Sequence, residues 1–388
     1  MAEELTLFDI SPEHPGQILR RMLDGKGWTQ DELAAITGRS RQTINELIAG
    51  KVGVTAEMAI ALSAAFNNDA AEWMKWDSAY RLSKAGDDAG SIQRKAKLYG
   101  IAPIRDMQRR GWIQDTKNLD ELEQQLRRFF KTDSLDDPFQ FPVNAQRAET
   151  LGHLNPAEQA WVFRARQIAA ALPIPSAFHI DHSHTAARDL RKLAAYPQEA
   201  KRAPQLLARF GIRLVIVEPL ATANIDGAAF WLDDQAPVIA VTVRYDRMDS
   251  FWHTLMHEYA HIRNGHAFAV DRDLVGEQID RTAFLLRESQ EQVADEEAAE
   301  SLIPRSELDS FIRRVGPLYS RIRIVQFAQR IKIHPAIVVG QLQHRKEIKF
   351  SHHHQLLPKV RATITETALT DGWGKTISPG ILDEEAVR

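Results

Sequence analysis

The feature that most constrains this chain is the motif H-E-x-x-H at residues 257–261. Apolar residues recur around it at helical spacing, which predicts a helix over residues 246–264. Residues four apart lie on one face of a helix, so the rings of His257 and His261 can converge on one metal ion. Glu258 is rotated by about 100° from His257 and therefore stands beside that ion. The motif predicts a helix with two imidazole ligands and a free carboxylate.

A catalytic zinc ion needs a third protein ligand and one open position. Glu291 is the candidate, because it lies on an acidic helix predicted to run towards residues 302–304. Asp295 shares a face of that helix with Glu291 and is predicted to accept the far N–H of a ligand histidine. The alternatives to Glu291 that remain open are Glu288, Glu296, Glu297 and Glu300.

The chain contains no cysteine, so any metal must be held by histidine and carboxylate side chains. Two histidines and a glutamate suit one Zn²⁺ per chain, although Mn²⁺ or Fe²⁺ would also bind. With zinc in place, Glu258 is predicted to be the general base that takes a proton from water. The alternative is a solvated helix that carries two incidental histidines.

Three segments before the motif are rich in apolar and β-branched residues, and each is bounded by Gly, Pro or Asp. They cover residues 213–220, 228–234 and 237–243 and predict a small mixed sheet. Together with the flanking helices, this sheet predicts an α+β domain over residues 156–304.

The N-terminal part reads as a succession of short amphipathic helices with tight turns. Thr29 and Glu32 form a capping box ahead of one apolar helix. Gly38 allows a sharp turn after that helix, and Ser40 caps the next one. This order of elements predicts an all-α helix-turn-helix domain over residues 1–85.

The helix that begins near Ser40 carries side chains of the types that contact DNA. The predicted set comprises Arg41, Gln42, Thr43 and Asn45 for base edges, Arg39 and Lys51 for phosphates, and Ser40 at the start of the helix. The net charge of −3 excludes bulk binding to polyanions, so any DNA contact must come from this local patch. Glu46 on the same helix favours an alternative, a module that binds a protein partner.

The remaining stretches carry weaker signals. Residues 86–155 are charged, helical and broken by several glycines and prolines, which predicts a connecting region, and residues 305–388 predict a helical C-terminal region with a polar tail. His334 is predicted to be structural, and residues 352–354 are predicted to form a solvated turn. No run approaches the roughly 20 apolar residues of a membrane span, and the N-terminus lacks a secretory signal, so we expect a cytoplasmic protein with no membrane partner.

Residues 244–262, RYDRMDSFWHTLMHEYAHI, with the acidic helix ending at residues 302–304, resemble the ImmA/IrrE family of metallo-endopeptidases. The resemblance implies a gluzincin-like zinc site beside a small sheet and cleavage of a repressor or another regulatory protein. In the acidic helix, Val293 and Asp295 stand where the family usually has Glu and Asn. The family's two zinc histidines, third ligand and catalytic glutamate correspond to His257, His261, Glu291 and Glu258.

The opening His-Pro-Gly at residues 14–16 and the run TQDELAAITGRSRQTINELIAG resemble XRE-type helix-turn-helix domains, in particular HigA-like antitoxins. This resemblance implies operator DNA and a two-fold homodimer. Together the two resemblances predict a bacterial or phage-encoded transcription regulator with zinc endopeptidase activity against a repressor or a toxin–antitoxin partner. The alternative is a HigA-like antitoxin or autorepressor whose peptidase fold binds a protein.

Overall fold

The computed structural model divides the chain into two compact units, Met1–Ala96 and Lys97–Arg388. The residues that it describes are 13–84, 88–142, 148–151, 154–271 and 289–371. Within these ranges, none of the helices is long and apolar enough to cross a membrane.

Within the described residues, the first five helices pack around one apolar cluster. They are α1 (Pro15–Lys26), α2 (Gln30–Thr37), α3 (Arg41–Ile48), α4 (Ala56–Phe66) and α5 (Ala70–Lys84). Leu19, Leu33, Ile44, Leu47 and Trp73 are fully buried at its centre. The predicted all-α character of the N-terminal domain is confirmed.

Local sequence sets the ends of these helices as predicted. The Glu32 carboxylate accepts the Thr29 backbone N–H at 2.6 Å, and the Thr29 hydroxyl accepts the Glu32 N–H at 3.2 Å, which completes the capping box. Gly38 follows α2 with φ of +66°, a left-handed conformation that glycine adopts without strain. The Ser40 hydroxyl accepts the Thr43 N–H at 3.1 Å and so caps α3.

After α5 the chain continues through four helices and a two-stranded antiparallel ribbon before it reaches the sheet. The helices are α6 (Asp88–Ile101), α7 (Ile104–Arg109), α8 (Leu119–Phe130) and α9 (Pro156–Ala170), and the strands are β1 (Gln140–Pro142) and β2 (Ala148–Thr150). Leu98, Trp112, Leu126 and Phe141 of the predicted connecting region are buried in a cluster that includes one face of the sheet. The composition of this region did not reveal that role, because its apolar residues are interspersed with charged residues, glycines and prolines.

The central element of the second unit is a five-stranded mixed sheet in the order β6-β4-β5-β3-β7. Its strands are β3 (Arg213–Val217), β4 (Gly227–Trp231), β5 (Pro237–Val241), β6 (Phe268–Asp271) and β7 (Leu369–Asp371). β3 runs parallel to β5 and β7, whereas β4 runs antiparallel to β5 and β6. The predicted small mixed sheet is confirmed. β6 and β7 were not predicted, because strands of four and three residues depend on their pairing partners.

Both faces of the sheet are buried. In β5, Val238 and Ala240 belong to the cluster shared with α6–α9, whereas Ile239 and Val241 belong to a second cluster on the other face. Successive side chains of a strand point to opposite faces, so near-continuous apolar strands predict this double coverage.

The second face is covered by the remaining helices. They are α10 (Ser183–Leu193), α11 (Ala203–Arg209), α12 (Met248–Arg263), α13 (Ser289–Leu302), α14 (Arg305–Val315), α15 (Arg321–Ile331), α16 (Pro335–His344) and the short α17 (Arg361–Ile364). α12 packs against β4, β5, α13 and α16, and it is buried throughout except at His253 and Arg263. The H-E-x-x-H motif therefore lies inside the unit. The predicted polar tail beyond residue 371 lies outside the described residues.

Candidate metal centre and candidate DNA interface

Three elements bring four potential metal ligands together. α12 supplies His257 and His261, α13 supplies Glu291, and the end of β6 supplies Asp271. One nitrogen or oxygen atom from each of the four lies within 4.8 Å of the others. The structure thus brings together the three residues proposed from the sequence and adds a fourth.

The four atoms face one another closely. His257 Nε2 and His261 Nε2 are 3.0 Å apart. Asp271 Oδ2 lies 3.1 Å from His257 Nε2 and 3.5 Å from His261 Nε2. Glu291 Oε2 lies 3.4 Å and 3.6 Å from the same two nitrogens. Two ring nitrogens and two carboxylate oxygens therefore share one small volume.

The far ring nitrogens have other neighbours. His257 Nδ1 lies 2.9 Å from Asp295 Oδ1, and His261 Nδ1 lies 2.7 Å from His266 Nδ1. An acceptor beside Nδ1 favours the tautomer that carries its proton there, and this leaves a lone pair on Nε2. Asp295 stands where the sequence analysis expected it, beside the far nitrogen of a ligand histidine.

These contacts fit a divalent cation. Glu291 Oε2 and Asp271 Oδ2 are buried and have no hydrogen-bond donor within the described part of the chain. Unpaired buried acceptors are costly, and facing lone pairs add repulsion. Histidine nitrogens and carboxylate oxygens are common zinc ligands, so an ion among them would satisfy all four atoms.

Glu258 lies next to this cluster and is completely buried. Among the described residues, neither of its carboxylate oxygens finds a hydrogen-bond partner. It packs against the backbone of β4, where a Cβ atom on Gly227 would come within 2.2 Å of Glu258 Oε1. The absence of a side chain at Gly227 therefore creates the space that the carboxylate occupies.

Burial and mutual charge govern protonation at the centre. Burial raises the pKa of Glu258 well above its usual range, and the negative charge of Asp271 adds to this. Burial alone would lower the pKa of His257, but the surrounding carboxylates, Asp271 first, raise it well above its usual value. The pKa of Asp271 is raised, mainly by burial. A divalent cation reverses this balance, because it favours deprotonated ligands.

The alternative glutamates take other positions. The Glu297 carboxylate pairs with Arg263 at 2.9 Å, and that of Glu300 accepts the Arg305 backbone N–H at 2.7 Å. Glu296 is exposed, and Glu288 lies outside the described residues.

Two other histidine predictions can be compared with the structure. The His334 side chain accepts the Ala336 N–H at 3.1 Å and so caps α16, as a structural residue would. Residues 352–354 lie in an exposed to half-buried turn.

Sequence reasoning did not identify Asp271. The available signal was the short apolar stretch F-A-V at residues 268–270, which ends in Asp271. The register of the sheet sets Asp271 directly opposite Gly227. That pairing, which the sequence alone does not reveal, carries the carboxylate to the metal ligands.

In the N-terminal unit, most of the residues proposed for DNA contact are exposed, either on α3 or within a few residues of its ends. The exposed members of the set are Arg39, Ser40, Arg41, Gln42, Asn45 and Lys51, whereas Thr43 is half-buried. The hydroxyls of Ser40 and Thr43 lie 2.8 Å apart within the cap of α3. The Gln42 side-chain amide donates a hydrogen bond to the Glu46 carboxylate at 2.9 Å, so the acidic residue of this helix has a partner within the helix itself.

The helix-turn-helix family, described as HTH_3, matches residues 19–73. Over 85 residues the chain is 38% identical to virulence-associated protein A′ of Dichelobacter nodosus, an alignment that covers 22% of this chain and 74% of that protein. The chain belongs to the helix-turn-helix family. This helix-turn-helix protein is also 38% identical over 80 residues to virulence-associated protein I of the same organism, covering 20% of this chain and 74% of that one.

One solved structure similar to this helix-turn-helix protein is the Pseudomonas aeruginosa antitoxin HigA with the higBA promoter. It is 34% identical and has a TM-score of 0.20, with 21% of this chain and 89% of that chain covered. The prediction of an XRE-type helix-turn-helix at the N-terminus is confirmed by the family match. The family match lies in the N-terminal part of the chain, and the residues of the metal centre lie outside it.

Proposed function

We propose that this helix-turn-helix protein is a DNA-binding transcription regulator that also carries a zinc-dependent endopeptidase of the ImmA/IrrE type. Its substrate would be a regulatory protein, either a repressor or a toxin–antitoxin partner. One observation carries the enzymatic part, the convergence of His257 Nε2, His261 Nε2 and a Glu291 oxygen beside the unpaired carboxylate of Glu258. The surrounding α+β fold with its small sheet is compatible with a gluzincin-like domain.

His257, His261 and Glu291 would hold the ion, and Zn²⁺ suits this donor set, while Mn²⁺ and Fe²⁺ can also bind it. A bound zinc ion supplies Lewis acidity, which polarises a peptide carbonyl and lowers the pKa of water to about 7. Asp295 and His266, which lie 2.9 Å and 2.7 Å from the far nitrogens of His257 and His261, would keep the two imidazole rings in orientation.

Glu258 is the proposed general base. Its carboxylate would take a proton from the attacking water and later give it to the leaving amine. Gly227 positions it by leaving room for the carboxylate against β4.

The DNA-binding part rests on α3. In helix-turn-helix domains the second helix of the motif lies in the major groove, and its N-terminal residues contact base edges. Arg41, Gln42 and Asn45 are exposed near that end of α3, and Arg39 and Lys51 are exposed close to it in sequence. We propose that they bind operator DNA and that the protein does so as a homodimer on a palindromic site.

The test of the peptidase uses purified full-length protein loaded with Zn²⁺ and the proteins encoded next to it as substrates. Glu258→Gln should retain zinc but lose cleavage, because it keeps the shape of the side chain and removes the base. His352→Ala, in the exposed turn, is the matched control and should cleave normally. Cleavage by Glu258→Gln at the wild-type rate would exclude Glu258 as the base.

A second function is favoured by the complete burial of Glu258, His257 and His261. A centre without an exposed base suits an antitoxin or autorepressor that uses the peptidase fold to bind a protein. Stoichiometric inhibition of a neighbouring toxin by Glu258→Gln, with operator binding intact, would support this function. Failure of both inhibition and operator binding would exclude it.

A further inference from the structure

Backbone pairing at the edge of the sheet places Asp271 at the metal centre. It ends β6 and pairs with Gly227 of β4 in the antiparallel register. Its backbone carbonyl accepts the Asp226 N–H at 2.9 Å. The residue is only 3% exposed, and no hydrogen-bond donor reaches its Oδ2 atom within the ranges that the structure describes. A buried carboxylate oxygen without a donor is a costly arrangement that a cation would relieve.

The spacing around Asp271 matches a tetrahedral ion. Ligands at about 2.0–2.2 Å from a tetrahedral zinc ion are about 3.3–3.6 Å from one another. Asp271 Oδ2 lies 3.1 Å and 3.5 Å from the two histidine Nε2 atoms, which are themselves 3.0 Å apart. The Glu291 oxygen lies 3.4 Å and 3.6 Å from the same nitrogens. These five distances are close to those of one four-ligand shell, and the two carboxylates also offer oxygen atoms within 4.8 Å of each other.

From this geometry we infer that Asp271 is a fourth protein ligand, which closes the metal centre. The inference rests on the metal centre of the proposed function. A catalytic zinc ion keeps one position open, whereas an ion with four protein ligands has none. In this conformation Asp271 would occupy the fourth position of a bound ion, and its carboxylate would have to move away before an exogenous ligand could bind there.

The sealed state agrees with the burial of the centre. His257, His261 and Glu258 are inaccessible to solvent, and the side chain of Glu291 retains 23% exposure. Glu291 on α13 is thus the most exposed of the four described ligand residues, whereas Asp271 on β6 is only 3% exposed. Asp271 occupies the position that a catalytic centre would reserve for its reactants.

The experiment uses the full-length protein loaded with Co²⁺ alone, whose visible absorption reports coordination number, and azide as the exogenous ligand. The wild-type spectrum should be four-coordinate and unchanged by azide. Asp271→Ala should give a spectrum that azide alters, and its Zn²⁺ affinity in a chelator competition should fall by about tenfold or more. Asp271→Asn, which keeps the side-chain shape, serves as a second variant with an intermediate expected effect.

The matched control is Asp371→Asn. Asp371 ends the opposite edge strand, β7, and pairs with Arg164 at 2.6 Å, away from the ligand cluster. The Asp371→Asn variant should bind Co²⁺ with the same absorption spectrum as the wild type, and azide should not change that spectrum. An azide-induced change in the wild-type spectrum would by itself overturn the inference, because it would show that one coordination position of the ion is not filled by the protein.

The outcomes separate this inference from the proposed function. Zinc binding that survives with unchanged affinity in Asp271→Ala overturns the fourth ligand and leaves the peptidase intact. If azide leaves the wild-type spectrum unchanged but alters that of Asp271→Ala, the inference is supported. The absence of cleavage of any neighbouring protein would then count only against the proposed peptidase. If the wild-type protein binds zinc no more tightly than His257→Ala does, both the fourth-ligand inference and the proposed zinc peptidase are overturned.

Discussion

The α3 helix of the N-terminal unit and the α12 helix of the second unit both carry the polar residues of a candidate site, but in opposite surroundings. α3 presents Arg41, Gln42 and Asn45 to solvent. α12 buries His257 and His261 completely. An exposed polar side chain is solvated by water, whereas a buried one needs a partner. The comparison teaches that α3 can act through its own residues, while α12 depends on residues from other elements.

Breaking the buried cluster should have the largest effect. His261→Ala removes one of the four converging atoms, so we expect Zn²⁺ affinity to fall by more than about 100-fold and zinc no longer to raise the melting temperature. Isothermal titration and thermal unfolding with and without Zn²⁺ measure both effects. His352→Ala, in an exposed turn, should behave as the wild type. Unchanged zinc affinity in His261→Ala would contradict the metal centre.

The second largest effect is expected from a substitution that disturbs the packing of Glu258 against β4. Gly227→Ala places a methyl group within 2.2 Å of Glu258 Oε1, so the carboxylate or the strand must move. We expect a loss of about 1–3 kcal/mol in the free energy of unfolding, together with weaker zinc binding. Gly25→Ala is the control, because its Cβ would meet nothing within 4 Å and α1 should tolerate it. Equal stability of the two variants in chemical denaturation would show that Gly227 does not confine Glu258.

On α3, we expect a substitution to reduce the affinity for operator DNA and not the stability of the fold. Arg41→Ala should weaken specific operator binding by about 1–3 kcal/mol if Arg41 contacts a guanine, and should leave the unfolding curve unchanged. The side chain is 72% exposed and its 3.1 Å contact with Asp31 lies at the surface, so folding loses little. DNase footprinting and titration on operator DNA test this, with Arg209→Ala in the second unit as control. An unchanged footprint would exclude the contact.

The smallest effect separates capping from DNA contact. Ser40→Ala and Thr29→Ala each remove a helix cap of the N-terminal unit, so each should cost about 1 kcal/mol of stability. Because the Ser40 hydroxyl is engaged by the Thr43 N–H, Ser40→Ala should reduce operator affinity no more than Thr29→Ala does. A larger loss in Ser40→Ala would assign that hydroxyl a direct DNA contact.

The two regions also differ in how far the sequence predicts them. The capping box of Thr29 and Glu32 and the turn at Gly38 were read correctly, because each depends on residues a few positions apart. The position of α12 and its helical face followed from apolar spacing in the same way. The strand β6 and its Asp271 were missed, because four residues carry too weak a pattern without a known partner strand.

The sequence by itself determined the helices, their caps, and the pairing of His257 with His261 on one face, since these arise from interactions within one or two helical turns. Tertiary structure alone decided which carboxylates meet those rings. α13 brings Glu291 by packing on α12, and β6 brings Asp271 by pairing with β4. Both are contacts between distant parts of the chain, and a single sequence carries no local signal for such contacts.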